Sequence, residues 1–118
     1  MRRVVIVLAA ALVAITPAGA QSNVTPQQHL DCAAWAAVLG GSVENDSDRV
    51  GAAAMLAWFI GLYEGATGEP IDEALSARLA ALKPEQMEGL AASCGPRAIA
   101  FGSRLVNLGG RISALEGK

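Results

Sequence analysis

The stretch VGAAAMLAWFIGLY, residues Val50–Tyr63, decides the fold prediction for this chain. It carries no charge, and it is bounded by Arg49 on one side and by Glu64 on the other. A helix that is apolar on every side is either buried in a protein core or spans a membrane. Crossing the hydrocarbon takes about 20 apolar residues. The run is shorter than that, so it predicts the central buried helix of a small domain, without stable membrane insertion.

Apolar residues spread all round this helix, and five positions are named as residues of the core helix: Trp58, Phe59, Gly61, Tyr63 and Gly65. Small residues recur every fourth position at Ala57, Gly61 and Gly65, so they lie along one stripe. Each glycine inside a helix costs roughly 1 kcal/mol relative to alanine. The stripe therefore predicts a close helix crossing, at which Gly61→Leu would be destabilising.

The first twenty residues have the pattern of a secretory signal peptide. Arg2 and Arg3 precede the uncharged apolar segment Val4–Ile15, and Ala18-Gly19-Ala20 is a small-residue cleavage site. The alternative is an uncleaved anchor. Cleavage after Ala20 would leave residues 21–118 as a single helical domain, in a periplasmic or secreted protein of bacterial type.

Charge and composition exclude several classes of partner. The chain has 9 Lys and Arg against 11 Asp and Glu, and loss of Arg2 and Arg3 with the signal peptide would make it more acidic. An acidic balance without a basic cluster argues against nucleic acid and against anionic membrane surfaces. The partner expected for such a chain is another protein.

The two cysteines, Cys32 and Cys94, both follow the signal peptide. An even pair in a small exported chain indicates a structural disulfide. The alternatives are two free thiols or a metal site, but a metal needs more ligands and His29 is the only histidine. We therefore predict the Cys32–Cys94 disulfide, no metal and no cofactor.

Capping signals divide the chain into short helices. Thr25, Pro26 and Gln28 are the N-cap, first-turn proline and capping-box residue of a first helix that is expected to stop at Gly40-Gly41. Ser47 is expected to cap the central helix, and a third helix is expected to begin at Asp72 or Pro70.

The remaining sequence predicts a fourth short helix after Lys83 and a break at Cys94-Gly95-Pro96. A fifth helix would end near Gly109-Gly110, with a loose tail from about residue 111. No stretch alternates with period two, and no internal repeat is evident. The predicted fold is all-α: a small bundle of four to five short helices stapled by one disulfide.

Catalytic chemistry has few candidates in this sequence. His29 lies in the first turn of the first helix, where a lone histidine is expected to be solvated. Glu64, Asp72 and Glu73 could gather near the end of the central helix, but carboxylates at helix ends are usually solvated caps. No catalytic residue is assigned, and the chain is not expected to be an enzyme.

Three features together resemble the HdeA-like periplasmic acid-stress chaperones. They are a cysteine on the first helix, the aromatic-glycine segment WFIGLYEG at residues 58–65, and a late cysteine followed by Gly95-Pro96. The resemblance covers roughly residues 31–105. The cysteines are further apart than in that family, the lysine-rich segments are missing, and the helix at residues 71–82 is additional.

This resemblance implies a physical mechanism rather than a catalytic one. The chain would be a folded homodimer at neutral pH. Acid would protonate its carboxylates, loosen the interface and expose apolar surface that binds unfolding client proteins. The competing hypothesis is a periplasmic binding, inhibitor or immunity-type protein that stays folded and occupies one specific protein target.

Overall fold

The computed structural model describes residues 23–117, which form four α-helices and one short 3-10 helix without any strand. The elements are α1 (Pro26–Ser42), α2 (Asp46–Thr67), α3 (Asp72–Ala81), the 3-10 helix Pro84–Gln86 and α4 (Met87–Glu116). The all-α prediction is confirmed. The signal peptide predicted for residues 1–20 lies outside the described residues.

Helix α1 begins as its capping signals predict. The Thr25 hydroxyl accepts a hydrogen bond from the backbone N–H of Gln28 at 3.3 Å, and the Gln28 side chain accepts one from the Thr25 N–H at 2.8 Å. This capping box satisfies two backbone donors that a helix start otherwise leaves free. The helix continues past Gly40 and Gly41 and ends at Ser42.

The most buried helix is α1, and the prediction that residues 50–63 form the central buried helix is wrong. Helix α1 packs against α2, α3 and α4. Its inward face is fully covered, with Leu30, Cys32, Trp35 and three alanines in the core, namely Ala33, Ala34 and Ala36. Because alanine side chains are small, three neighbours can approach this one helix closely.

Helix α2 lies against the core along one side only. Asn45, rather than Ser47, is its N-cap, and the Asn45 side chain accepts from the N–H of Asp48 at 2.8 Å. Only Ala52 and Phe59 are buried. Most of its other large apolar side chains are half-buried against the core cluster, Trp58 and Tyr63 among them, whereas Val50 is exposed.

The opposite side of α2 faces solvent and carries the small residues. Ala57, Gly61 and Gly65 are exposed, and a Cβ atom added at either glycine would meet nothing within 4 Å. The predicted close helix crossing at this stripe is therefore wrong. Beyond Val50, the exposed positions of the uncharged run are alanines and glycines, which add little apolar area.

By length and composition alone, one described helix is apolar enough to cross a membrane: Asp46–Thr67, with a mean hydropathy of 1.2 over its best window. Of that window, 11% is buried. The large side chains of the same helix cover the core described above.

Helix α3 is held by two polar contacts with the preceding helices. Arg78 forms an ion pair with Asp31 of α1 at 2.6 Å, and both side chains are largely shielded from solvent. The Glu64 carboxylate accepts a hydrogen bond from the backbone N–H of Ile71 at 3.1 Å. Ile71 itself is buried. The turn between α2 and α3 is thereby fixed, with α3 beginning at Asp72 as predicted.

Helix α4 is a single helix of 30 residues, so the predicted break at Cys94-Gly95-Pro96 is wrong. A proline inside a helix removes one backbone hydrogen bond. Here Cys94 and Ala98, on either side of Pro96, are both buried against the core. This packing holds the helix through the proline. Gly109-Gly110 does not end the helix either, and residues 111–116, predicted as a loose tail, form its last turns.

Candidate functional site

The predicted disulfide is confirmed, and it lies at the centre of the folded part. Cys32 of α1 and Cys94 of α4 are bonded, with Cα atoms 5.4 Å apart and 62 residues between them in sequence. Both residues are buried. The bond joins the first and last helices directly, so it fixes α4 against α1 at one point.

Beside the disulfide lies a polar pair, His29 of α1 and Arg97 of α4. The Arg97 Nη2 atom is 2.8 Å from His29 Nδ1, and Arg97 Nη1 donates to the Cys32 sulfur at 3.3 Å. A guanidinium can only donate hydrogen bonds. His29 Nδ1 must therefore accept, so the imidazole is neutral and carries its proton on Nε2.

The expectation that His29 is solvated is wrong, because only 8% of its surface is exposed. Burial lowers the pKa of His29 below its ordinary value of 6.5, and the positive charge of Arg97 lowers it as well. Burial also lowers the pKa of Arg97. Both effects penalise a second positive charge at this position.

Aromatic rings of α2 and α4 complete the surroundings of the pair. The Arg97 guanidinium carbon lies 5.1 Å from the Phe59 ring centroid and 5.9 Å from that of Trp58. Trp58 also stacks on Phe101 of α4, with centroids 4.5 Å apart. The faces of aromatic rings attract cations. We call His29, Arg97, Trp58, Phe59 and Phe101 the joint cluster, because they join α1, α2 and α4.

No carboxylate compensates the charge of the joint cluster within residues 23–117. The ion pairs of this part of the chain are Arg49–Asp46 and Arg78–Asp31. Asp31 is close to His29 in sequence, but its carboxylate binds Arg78 and the Gln27 side-chain amide. A cleft of about 90 Å³ opens beside the disulfide and reaches Arg97, so water has access to the edge of the cluster.

The five residues named for the core helix differ in how deeply they are buried. Phe59 is fully buried, while Trp58 and Tyr63 are half-buried and pack against the core cluster. Gly61 and Gly65 are exposed and belong to no site. Sequence reasoning missed the pairing of His29 with Arg97, because nothing local indicates that these residues meet across 68 positions.

An exposed apolar face lies on α4 beyond Phe101. Leu105, Leu108, Ile112 and Leu115 recur at spacings of three and four and lie on one face of the helix. They are 45%, 41%, 58% and 71% exposed. We call these four residues the distal seam.

The distal seam belongs to a seven-residue repeat, so the expectation that the chain has no internal repeat is wrong. The segments CGPR, FGSR and LGGR begin at residues 94, 101 and 108. Each has an apolar residue, a glycine and, three positions after the first, an arginine. Comparing the segments at an offset of seven would have revealed this signal.

The three carboxylates considered as acid–base candidates lie near the end of α2 and at the start of α3. Glu64 accepts the backbone hydrogen bond that fixes the α2–α3 turn, and Asp72 and Glu73 lie exposed in the first turn of α3. Among residues 23–117, no group of three His, Cys, Asp or Glu side chains is placed to hold a metal ion. That the chain has no catalytic, metal or cofactor site stays a prediction.

Comparison with known proteins finds no matching family model, no matching curated protein and no matching solved structure.

Proposed function

We propose that this chain is an exported, non-enzymatic helical protein that binds unfolding client proteins in acid, as the HdeA-like chaperones do. One observation carries the proposal: a buried, neutral histidine accepts a hydrogen bond from a half-buried arginine where three helices meet. Acid protonates His29 and so places a second positive charge beside Arg97, without a carboxylate to balance it.

Protonation of His29 removes the contact and replaces it by repulsion. The protonated Nδ1 can no longer accept from Arg97, and two like charges would lie 2.8 Å apart. The other neighbours of the Arg97 guanidinium are aromatic rings and the Cys32 sulfur, which do not offer an anionic partner to an imidazolium. Low pH therefore weakens the contact of α4 with α1 and α2.

Separation of α4 would uncover the surface that binds clients. The rings of Trp58, Phe59 and Phe101 meet at this contact, and all would become accessible. The Cys32–Cys94 disulfide would keep the opened chain compact. The disulfide also supports the proposed periplasmic or secreted location, because such bonds persist in oxidising compartments.

The proposal is tested by titrating the exported protein from about pH 7 to about pH 2. Near-UV circular dichroism reports loss of packing around the tryptophans, and an apolar dye reports exposed surface. The same samples are assayed for suppression of aggregation of a soluble enzyme that unfolds in acid. Dye binding and suppression should rise together as the dichroism is lost. A protein that keeps its near-UV spectrum to the end of the titration would contradict the proposal.

A second candidate is a binding, inhibitor or immunity-type protein with one specific target. The observation in its favour is the distal seam, which is exposed without any opening of the fold. This candidate requires a single target bound with the protein folded at neutral pH.

A further inference from the structure

The Arg97 guanidinium has hydrogen-bonding capacity that the folded chain does not use. A guanidinium carries five N–H donors. Within residues 23–117 it donates to His29 Nδ1 at 2.8 Å and to the Cys32 sulfur at 3.3 Å. The group is half-buried, and no carboxylate of this part of the chain forms an ion pair with it. Three donors and one uncompensated positive charge therefore remain for a ligand.

The cleft beside the disulfide gives a ligand access to this charge. It lies between α1 and the first half of α4, and Arg97 is one of the residues that line it. Its volume is about 90 Å³, which is room for a few groups of the size of a water molecule. A ligand of this cleft consists of only a few non-hydrogen atoms.

A second hydrogen-bond donor lines the same cleft, namely the side-chain amide of Gln28. Its oxygen accepts from the backbone N–H of Thr25 at 2.8 Å, which fixes the orientation of the amide. The NH₂ end makes no hydrogen bond to the described residues. The Ser93 hydroxyl, also in the lining, lies 3.2 Å from the Gly89 carbonyl oxygen and donates to it. The free polar capacity of the cleft is thus mainly that of donors, which suits an anion.

The remaining lining residues narrow the class of anion. The Asp31 carboxylate also lines the cleft. It is bonded to Arg78, but its charge still disfavours a ligand with two negative charges. Val24 and Leu90 are half-buried and supply an apolar wall. The planar fork of a guanidinium matches the two oxygens of a carboxylate. These features together fit a singly charged carboxylate with a short apolar tail.

We propose that this cleft binds a small aliphatic monocarboxylate of the size of acetate or propionate. Arg97 and Gln28 donate to its carboxylate, and its alkyl group lies against Val24 and Leu90. The charge of Arg97 is present at neutral pH, so binding requires neither protonation of His29 nor opening of the helices. The site therefore goes beyond the proposed function and does not depend on it.

The test is an NMR titration of the exported protein at about pH 7.5, where the carboxylate is charged. Sodium acetate or propionate replaces sodium chloride at constant ionic strength, up to about 0.1 M. His29 is the only histidine of the chain, so its ring protons report on the site without overlap. We expect saturable shifts with a dissociation constant of about 1–10 mM, because so few atoms bind. Acetamide, which has the shape of acetate but no charge, should bind at least about tenfold more weakly.

Substitution of the arginine separates a specific site from a general effect of anions. Arg97→Gln removes the charge and should weaken acetate binding at least about tenfold. Arg97→Lys keeps the charge but loses the planar fork, so its affinity should lie between the two. The matched control is Arg104→Gln, because Arg104 is the corresponding arginine of the next repeat segment and is exposed outside the cleft. This control should bind acetate like the unchanged protein.

The ligand is also located in the unchanged protein, because Arg97 packs in the joint cluster and its replacement can disturb the fold. Nuclear Overhauser effects should connect the methyl protons of propionate with the side-chain methyl groups of Val24 and Leu90.

Four results would overturn the inference. They are the absence of saturable His29 shifts up to about 0.1 M ligand, equal binding of acetamide, an equal loss of affinity in Arg97→Gln and Arg104→Gln, and Overhauser effects confined to residues outside the cleft. The acid chaperone assay is scored separately. Its failure leaves the carboxylate site standing, and loss of the site leaves the acid response standing.

Discussion

At the scale of single residues, the most consequential contact is that between His29 and Arg97. Neither residue has a carboxylate partner among the described residues, and the Arg97 guanidinium lies against the aromatic rings of α2. Among the described residues, the half-buried Arg97 guanidinium donates hydrogen bonds to the His29 imidazole nitrogen and to the Cys32 sulfur. The protonation state of one ring thus controls whether α1 and α4 attract or repel at this position.

We expect the free energy of unfolding to fall as pH is lowered below about 6.5, because the pKa of His29 is depressed in the folded state. The unfolded chain then binds the proton first, so folding loses stability between the unfolded pKa and the lower folded pKa, and the loss levels off below the latter. In His29→Asn the amide oxygen can accept from Arg97 without titrating. Urea unfolding at a series of pH values should show this loss of stability in the unchanged protein and not in the variant. An equal pH dependence in both would show that other groups are responsible.

The exposed glycines of α2 provide a second test at this scale. Because a Cβ at position 61 meets nothing within 4 Å, Gly61→Ala should stabilise the protein by up to about 1 kcal/mol through helix propensity. The matched control is Gly40→Ala in α1, whose Cβ would lie 3.3 Å from the Cβ of Ala52. Chemical denaturation should show a smaller gain, or a loss, at position 40. A destabilised Gly61→Ala would instead support the close crossing expected from the sequence.

At the scale of helices, the shielded ion pair between α1 and α3 contrasts with an exposed pair inside α2. The side chains of Arg78 and Asp31 are 17% and 25% exposed, whereas those of Arg49 and Asp46 are 57% and 94% exposed. Surface pairs contribute little because water and salt screen them. A shielded charged hydrogen bond contributes more, since its loss leaves one charge without a partner. The attachment of α3 therefore depends on Arg78.

We expect Asp31→Asn to lower the free energy of unfolding by roughly 1.5–3 kcal/mol, the usual contribution of a hydrogen bond to a charged group. Asp46→Asn, which removes the exposed pair, should change it by less than about 0.5 kcal/mol. Both values come from the same denaturant series. Similar effects of the two substitutions would show that α3 is held by apolar contacts rather than by the ion pair.

At the scale of the whole molecule, the chain consists of a disulfide-linked folded part and a helix that extends beyond it. The core cluster draws on α1, α2, the start of α3 and the first half of α4. The second half of α4 adds no buried residue. Stability should therefore depend on the first part.

Replacing both Cys32 and Cys94 by alanine should lower the free energy of unfolding by roughly 2–5 kcal/mol, because the open chain regains conformational entropy on unfolding. The control is a chain that ends at Ser103, whose disulfide and core are complete. This shortened chain should unfold at nearly the same denaturant concentration as the full chain. A large loss of stability on shortening would contradict the division into two parts.

The features that the sequence determined by itself are those set by neighbouring residues or by elementary chemistry. The capping box of Thr25 and Gln28 is local hydrogen bonding, and two cysteines in one small helical chain left a single pairing. The all-α fold followed from the lack of any period-two alternation. Each of these can be inferred without knowing how the helices are arranged.

Only the tertiary structure decided which helix is buried, and with it the character of the candidate site. The uncharged run of α2 predicted a core helix, yet α1 has the more central position because three helices pack against its alanines. Burial is a property of faces that meet, so it cannot be read from one helix alone. The same holds for His29, whose environment comes from Arg97 and the rings of another helix. It holds also for Pro96, where packing of Cys94 and Ala98 outweighed the local preference for a break.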